Sequence, residues 1–221
     1  LRLSNDESME LLNGNNLREF KDFLTEHGLY VFTLNGFPYG AFHKAMVKES
    51  VYAPDWQTKE RVLYTIRLAH ILKELLPAGG EGSISTSPLS YKLWNTADSK
   101  ETWRTCTQNV IKVVQELFRI KEETGVLIHI AFEPEPNGLI ENSTEAVAFF
   151  ENWLLDFGAT LLAEETRCSV EKAKNILLDH ARICYDTCHA AVSFEKPEDV
   201  LKRFEKVGIK VGKIQISSAL K

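Results

Sequence analysis

Asp186 and His189 are the residues whose types and spacing most clearly suggest chemistry. They lie three positions apart in Asp186-Thr187-Cys188-His189, directly after a short apolar segment. Where a strand breaks into a turn, both side chains can reach one cation, and a carboxylate with an imidazole suits Zn, Mn, Fe or Co. The spacing alone is weak evidence, because a helix-capping Asp followed by a surface His gives the same pattern.

Glu133 and Glu135 strengthen the metal interpretation. Glu133 ends the apolar segment 126–132, where a lone carboxylate is costly unless it is paired or coordinated. Glu135 follows within Glu-Pro-Glu-Pro, so either residue could be the ligand. Glu133 is favoured, because Pro134 should end the strand. The same two carboxylates are the candidates for moving a proton in catalysis.

Other reactive residue types have simpler interpretations. Cys184 and Cys188 flank Asp186; a disulfide or a cysteine metal site is possible, but two small buried thiols are favoured. His129, inside an apolar segment, is expected to be a hydrogen-bonded core residue. Three histidines on helices or helix ends are expected at the surface: His27, His70 and His180.

Strand and helix patterns alternate along the chain. Strand-like segments are predicted at 29–34, 82–86, 126–132, 183–185 and 211–216. Helical spacing of apolar residues separates them, and a further helix precedes them. This order predicts an α/β fold with a parallel sheet and right-handed crossovers. No Gly-rich turn follows a strand, which favours a (β/α)8 TIM barrel over a doubly wound nucleotide-binding sheet.

Five strands in 221 residues make only part of such a barrel, since a complete one takes about 250 residues. We therefore expect residues 1–221 to form a single, partial barrel domain. The active site of a barrel lies at the carboxyl ends of its strands. Polar residues occur at those positions in every predicted strand: Asn35, Ser85, Thr86, Glu133, Glu135, Asp186, His189, Gln215 and Ser217.

Composition excludes several classes of partner. With 26 basic and 31 acidic residues, the net charge of −5 gives no general attraction to nucleic acid or anionic lipid. No apolar run approaches the roughly 20 residues of a membrane span. Four cysteines are too few for a disulfide scaffold, so a reducing, cytoplasmic location is predicted. The oligomeric state is left open.

The segment from Asn35 to Asp55 is longer than an ordinary βα loop of ~2–6 residues. Its aromatic and apolar content is too high for a solvated linker. One interpretation is a short helix packed on the barrel rim. The other is a lid that contacts substrate and excludes water through Asn35, Tyr39, His43 and Lys48.

Several of these motifs together resemble the xylose isomerase-like TIM-barrel superfamily. It includes sugar isomerases, sugar epimerases and DNA repair enzymes of the endonuclease IV type. Within it, the sequence is most similar to bacterial metabolite traffic proteins of the EboE type. The segments that carry the resemblance are LNGFPYG at 34–40, GSIST at 82–86, EPEP at 133–136, YDTCHAAV at 185–192 and KIQISSAL at 213–220.

The resemblance implies a divalent metal held by a Glu, an Asp, a His and a final Glu from successive strand ends. Glu133 and Asp186 match two of these positions, and His189 matches the endonuclease-type Asp-x-x-His. Gln215 stands where the superfamily often has a ligating His, and a neutral amide binds metal more weakly. The first strand and the last two of the barrel, with the final Glu, are expected to lie outside this sequence.

Three functions follow as hypotheses. The first is a metal-dependent isomerase or epimerase of a small polyhydroxylated molecule, with Ser85, Thr86 and Ser217 among its substrate contacts. The second is a binding protein that handles a secondary metabolite without turnover, which Gln215 favours. The third, DNA repair, is disfavoured by the net charge.

Overall fold

Five parallel strands form one sheet in the order in which they occur in the chain. The computed structural model describes residues 1–40, 49–95 and 100–218. The strands are β1 (Thr33–Asn35), β2 (Glu81–Thr86), β3 (Leu127–Phe132), β4 (Ala181–Asp186) and β5 (Val211–Gln215). Because the order never reverses, every crossover runs in the same direction and the helices cover one face. The sheet curls as a half-barrel, which confirms the predicted parallel, barrel-like arrangement.

Helices precede β1 and connect the strands. They are α1 (Asn5–Leu11), α2 (Asn16–Glu26), α3 (Lys59–Leu75), α4 (Lys100–Thr124), α5 (Ser143–Phe149), α6 (Ala159–Thr166), α7 (Val170–His180), α8 (Thr187–Val192) and α9 (Pro197–Lys206). A π-helical segment, Phe150–Gly158, joins α5 to α6, and short 3₁₀ turns cover Glu49–Tyr52 and Lys92–Trp94.

Local sequence signals set the helix ends. Thr58, Asn142 and Ser169 each accept a hydrogen bond from a backbone N–H of the first helical turn, as N-cap residues do. Pro197 opens α9, where its missing N–H costs nothing. Asn and Ser are residue types that commonly occur at helix starts, and Asn142 and Ser169 both act as N-caps here.

The two faces of the sheet differ in chemistry. Ile84, Ile130 and Ile183 point to the convex face, where they are fully buried against apolar residues of the helices. Their neighbours in the strands, such as Ser85 and His129, point to the concave side. This alternation follows from the period of two in a strand, and it leaves a polar interior for the half-barrel.

Some local expectations were wrong. The first strand covers only Thr33–Asn35 rather than 29–34, and Tyr30 and Phe32 are exposed, because pairing with β2 starts at Thr33. His180 is not at the surface: it is fully buried, with its Nδ1 atom 2.6 Å from the carbonyl oxygen of Ile128.

Among the described residues, one continuous helix, Ser143–Thr166, is long and apolar enough to cross a membrane by length and composition, contrary to the expectation from sequence. In its most apolar window, 44% of the residues are buried inside the structure. Phe149, Phe150 and Leu154 pack into the main hydrophobic core. This burial fits a core helix, and the helix is weak evidence for membrane insertion.

Candidate functional site

Gln215 joins two carboxylates from neighbouring strands at the carboxyl end of the sheet. Its Nε2 atom donates to Glu133 Oε1 at 2.9 Å and to Asp186 Oδ2 at 2.8 Å. Both carboxylates are at least nine-tenths buried. Asp186 and Gln215 are paired in the β4–β5 register, and Glu133 follows β3 directly. Three adjacent strand ends therefore converge on one point.

His189 completes this group from α8. Asp186 is the N-cap of α8, and its Oδ1 atom accepts bonds from the backbone N–H groups of Cys188 and His189. This cap places the imidazole beside the two glutamates. His189 Nδ1 lies 3.6 Å from Glu133 Oε1, and Nε2 lies 3.5 Å from Glu135 Oε2. We call Glu133, Glu135, Asp186, His189 and Gln215 the carboxyl-end cluster.

The three carboxylates of this cluster differ in proton affinity. Burial, reinforced by the charges of Asp186 and Glu135, raises the pKa of Glu133 to about 7, although His189 and Lys213 oppose the shift. Burial also raises the pKa of Glu135. Burial acts in the same direction on Asp186, but hydrogen bonds from Ser217 and the Cys188 N–H outweigh it and hold the Asp186 pKa below its usual range. Of the three carboxyl groups, Asp186 is therefore the one whose environment favours the ionised form.

Two sets of potential metal ligands overlap at His189. One set is Glu133, Glu135 and His189, and the other is Asp186, Cys188 and His189; within each, the ligand atoms lie within 4.8 Å of one another. His189 Nδ1 is buried and has no hydrogen-bond partner among the described residues. An unpartnered imidazole nitrogen between carboxylates fits a divalent cation.

The metal ligands predicted from sequence lie close together in this cluster, with two differences from the prediction. Cys188 is half-buried rather than buried, and it joins Asp186 as a potential ligand. Gln215 presents its N–H donors to the carboxylates, and it can serve as a ligand only through its amide oxygen. Cys184 is buried and free, as expected of a small core thiol.

The predicted substrate contacts on β2 and after β5 do not all lie on the same side of the sheet. Ser217 Oγ donates to Asp186 Oδ1 at 2.5 Å, so it belongs to the site. Ser85 lies on the concave side and accepts a hydrogen bond from Lys213. Thr86 lies on the opposite face of β2, where its hydroxyl accepts from the indole N–H of Trp56 at 3.1 Å in the core.

The segment after β1 contributes different residues from those expected. Asn35 Oδ1 accepts the N–H of Phe37 and stabilises the turn. Tyr39 packs edge-on against Tyr64, with ring centroids 5.1 Å apart. His43 and Lys48 lie outside the described residues, so their predicted lid role stays a prediction.

Tyr52 is a site residue that the sequence did not single out. Its hydroxyl donates to Glu135 Oε1, and its ring contacts Phe37, Tyr91 and Trp94. The segment after β1 therefore does reach the carboxyl-end cluster, through Tyr52. An aromatic residue in a long loop after a strand is the only sequence signal for this contact.

Comparisons of the chain with protein-family models and with curated proteins return no match. The resemblance to the xylose isomerase-like superfamily therefore stays a prediction from the quoted motifs.

Proposed function

We propose that this chain is the barrel part of a divalent-metal-dependent isomerase or epimerase of the xylose isomerase-like TIM-barrel superfamily. Its substrate would be a small polyhydroxylated molecule or secondary metabolite. The observation that supports this most strongly is the convergence of Glu133, Asp186, His189 and Gln215 at three adjacent strand ends of a curled parallel sheet. Carboxyl ends of barrel strands are where catalytic residues lie.

The cation would be held by Glu133, Asp186 and His189, with Gln215 as a weaker amide ligand. Zn, Mn, Fe and Co suit this mixture of carboxylate and imidazole. When bound, such a metal polarises a carbonyl and its adjacent hydroxyl, which makes the neighbouring C–H more acidic.

Glu133 and Glu135 are the residues proposed to move the proton. A carboxyl group with a pKa of about 7, as for Glu133, can accept and return a proton at neutral pH. Glu135 is the second candidate, because Tyr52 holds one of its oxygens while the other faces His189. Tyr52 thereby fixes the direction in which Glu135 acts.

The main alternative is a metabolite-binding protein of the EboE type that performs no turnover. The neutral amide of Gln215 supports it, because an amide is a poorer metal ligand than a histidine or carboxylate. Endonuclease-type repair is less favoured, since the net charge of −5 provides no general attraction to DNA phosphates.

A metal titration tests the proposal. The chain, stripped with EDTA, is titrated with Mn²⁺ or Zn²⁺ by calorimetry, and one site is expected. Asp186→Asn should weaken binding by about 100-fold, because outer-shell changes alone cost 10–100-fold. Asp156→Asn changes an exposed carboxylate on the π-helical segment and serves as the matched control. Full affinity in Asp186→Asn would contradict the proposed site.

Deuterium exchange separates the enzyme from the binder. The metal-loaded chain is incubated in D₂O with a panel of aldoses and ketoses, and C–H signals next to the carbonyl are followed by NMR. Exchange that disappears in Glu133→Gln or Glu135→Gln supports proton transfer. Metal and sugar binding without exchange would favour the binding protein.

A further inference from the structure

Lys213 lies on the concave side of the sheet, beside the carboxyl-end cluster. Its Nζ atom donates to Ser85 Oγ at 3.1 Å, although two strands separate β5 from β2 in the sheet. Only side chains on the concave side of a curled sheet can meet in this way. Lys213 also precedes Gln215 by two residues, so the two side chains share a face about 6.6 Å apart along the strand.

A β-bulge in β5 directs the Lys213 side chain to the concave side of the sheet. Ile183 pairs with Val211, but Cys184 pairs with Lys213, so β5 contains one extra residue, Gly212. Val211 can therefore pack against the outer core while Lys213 stays on the concave side. A Cβ atom on Gly212 would lie 2.5 Å from His129 Nε2, which explains why glycine occupies the bulge. Bulges often re-aim a side chain next to an active site.

Lys213 has a cationic group without a counter-ion among the described residues. No carboxylate of the described chain lies within 4.0 Å of its amine, even though Glu133 is near enough to influence it electrostatically. Lys213 uses one donor on Ser85 and retains two. Ser85 Oγ accepts that bond and keeps its own O–H to donate.

Ser83 adds an independent sign of a ligand. It lies two residues before Ser85 on the same face of β2 and is only 6% exposed. Its hydroxyl has no hydrogen-bond partner among the described residues. A buried hydroxyl without a partner is costly. Lys213, Ser85 and Ser83 thus offer donors to an anion on the concave side of the sheet.

We infer that these three residues bind the carboxylate of the substrate. This rests on the proposed function and narrows its substrate class to a polyhydroxylated acid. The hydroxyl groups of such an acid would lie at the carboxyl-end cluster, and its carboxylate would lie toward Lys213. The spacing of about 6.6 Å between Lys213 and Gln215 along β5 matches the length of an extended sugar acid of a few carbon atoms. The compact ammonium of Lys213 and the hydroxyls of Ser85 and Ser83 suit a carboxylate, because it carries one charged group.

Binding of D-gluconate, compared with its neutral counterpart D-glucitol, tests this inference. Calorimetry on the metal-loaded chain should show at least a tenfold preference for gluconate. Lys213→Met and Ser85→Ala should each reduce that preference, and Lys213→Arg should retain part of it. Lys202→Met, an exposed lysine on the outer helix α9, is the matched control and should change nothing. Metal affinity should stay within about threefold in all four variants.

The outcomes separate this inference from the proposed function. If no metal binds, the proposed function fails, but the gluconate preference can still be measured on the metal-free chain. If metal binds normally and gluconate is not preferred, or Lys213→Met and Ser85→Ala both keep the full preference, the carboxylate subsite is wrong. Tighter binding of D-glucose 6-phosphate than of gluconate would also overturn the carboxylate assignment.

Discussion

Two polar clusters on the concave side of the sheet each combine glutamate with histidine but differ in charge compensation. The amino-end cluster consists of Glu81, His129 and Arg182. Arg182 binds Glu81 at 2.6 Å and the carbonyl of Asp179 at 3.0 Å, and His129 Nε2 lies 3.1 Å from the Gly212 carbonyl. In this cluster the single carboxylate has a guanidinium partner.

The carboxyl-end cluster has no such compensation. Glu133, Glu135 and Asp186 crowd around His189, and no Lys or Arg of the described chain lies within 4.0 Å of any of them. Buried like charges are unfavourable unless a cation joins them. The comparison indicates that the amino-end cluster stabilises the fold. Under the proposed function, the uncompensated charges of the carboxyl-end cluster would serve binding at a cost in stability.

The amino-end cluster should make the fold more stable as pH rises. Burial and the nearby Arg182 charge lower the His129 pKa from 6.5 to about 4. Between these values the unfolded chain binds more protons, so the free energy of unfolding increases with pH across that window. His129 should contribute on the order of 3 kcal/mol, since its pKa is lowered by about 2.5 and each pKa unit corresponds to about 1.36 kcal/mol.

Urea denaturation at pH 4 and pH 7 measures this contribution as the difference between wild type and His129→Gln. His180, whose pKa burial also lowers to about 4, acts in the same direction and cancels in that difference. His27→Gln changes an exposed histidine outside the amino-end cluster and serves as the matched control. An equal pH dependence in His129→Gln and wild type would contradict a structural role for His129.

Gly212→Ala should have the next largest effect on the free energy of unfolding, because it disturbs the amino-end cluster. The new Cβ would approach His129 Nε2 at 2.5 Å and Arg182 Cβ at 3.1 Å, so strand β5 or the imidazole must shift. We expect a loss of about 1–3 kcal/mol in the free energy of unfolding, as for other overpacked sites. A Cβ atom at Gly40 meets no atom of the described residues within 4 Å, so Gly40→Ala should lose far less. Equal losses would argue against the bulge contact.

Glu81→Gln should have the smallest effect. Glu81 is half-exposed, and in Glu81→Gln the amide oxygen can still accept a hydrogen bond from the buried Arg182, so the loss should be only about 0.2–1 kcal/mol. Metal affinity should not change, because Glu81 lies at the opposite end of the strands from the carboxyl-end cluster. A large loss of metal affinity would show that the two clusters are coupled.

Much of the carboxyl-end cluster could be predicted from sequence because two simple rules apply. Parallel strands place their carboxyl ends at one edge, and polar residues such as Glu133, Asp186 and Gln215 follow apolar segments there. The convergence of these three residues needs only the correct strand order, which the strand–helix alternation supplies.

Other features depend on contacts that no local pattern encodes. The direction of Lys213 depends on a bulge at Gly212, which changes the register between β4 and β5. The burial of His180 depends on a hydrogen bond to Ile128, 52 residues away. The contact between Tyr52 and Glu135 joins residues 83 positions apart. Such pairings are decided by tertiary packing rather than by the residues that surround each position.

The most direct test of the central claim is the stability of metal-free Glu133→Gln. The Glu133 pKa is raised to about 7, so wild type should lose stability as pH rises from about 4.5 to above 7. Urea denaturation in EDTA at pH 8 should show Glu133→Gln more stable than wild type by on the order of 2 kcal/mol, with little difference at pH 4.5. Added Mn²⁺ or Zn²⁺ should stabilise wild type and not the variant. A Glu133→Gln protein less stable than wild type at pH 8 would contradict the account, because Glu133 would then support the fold rather than a binding site.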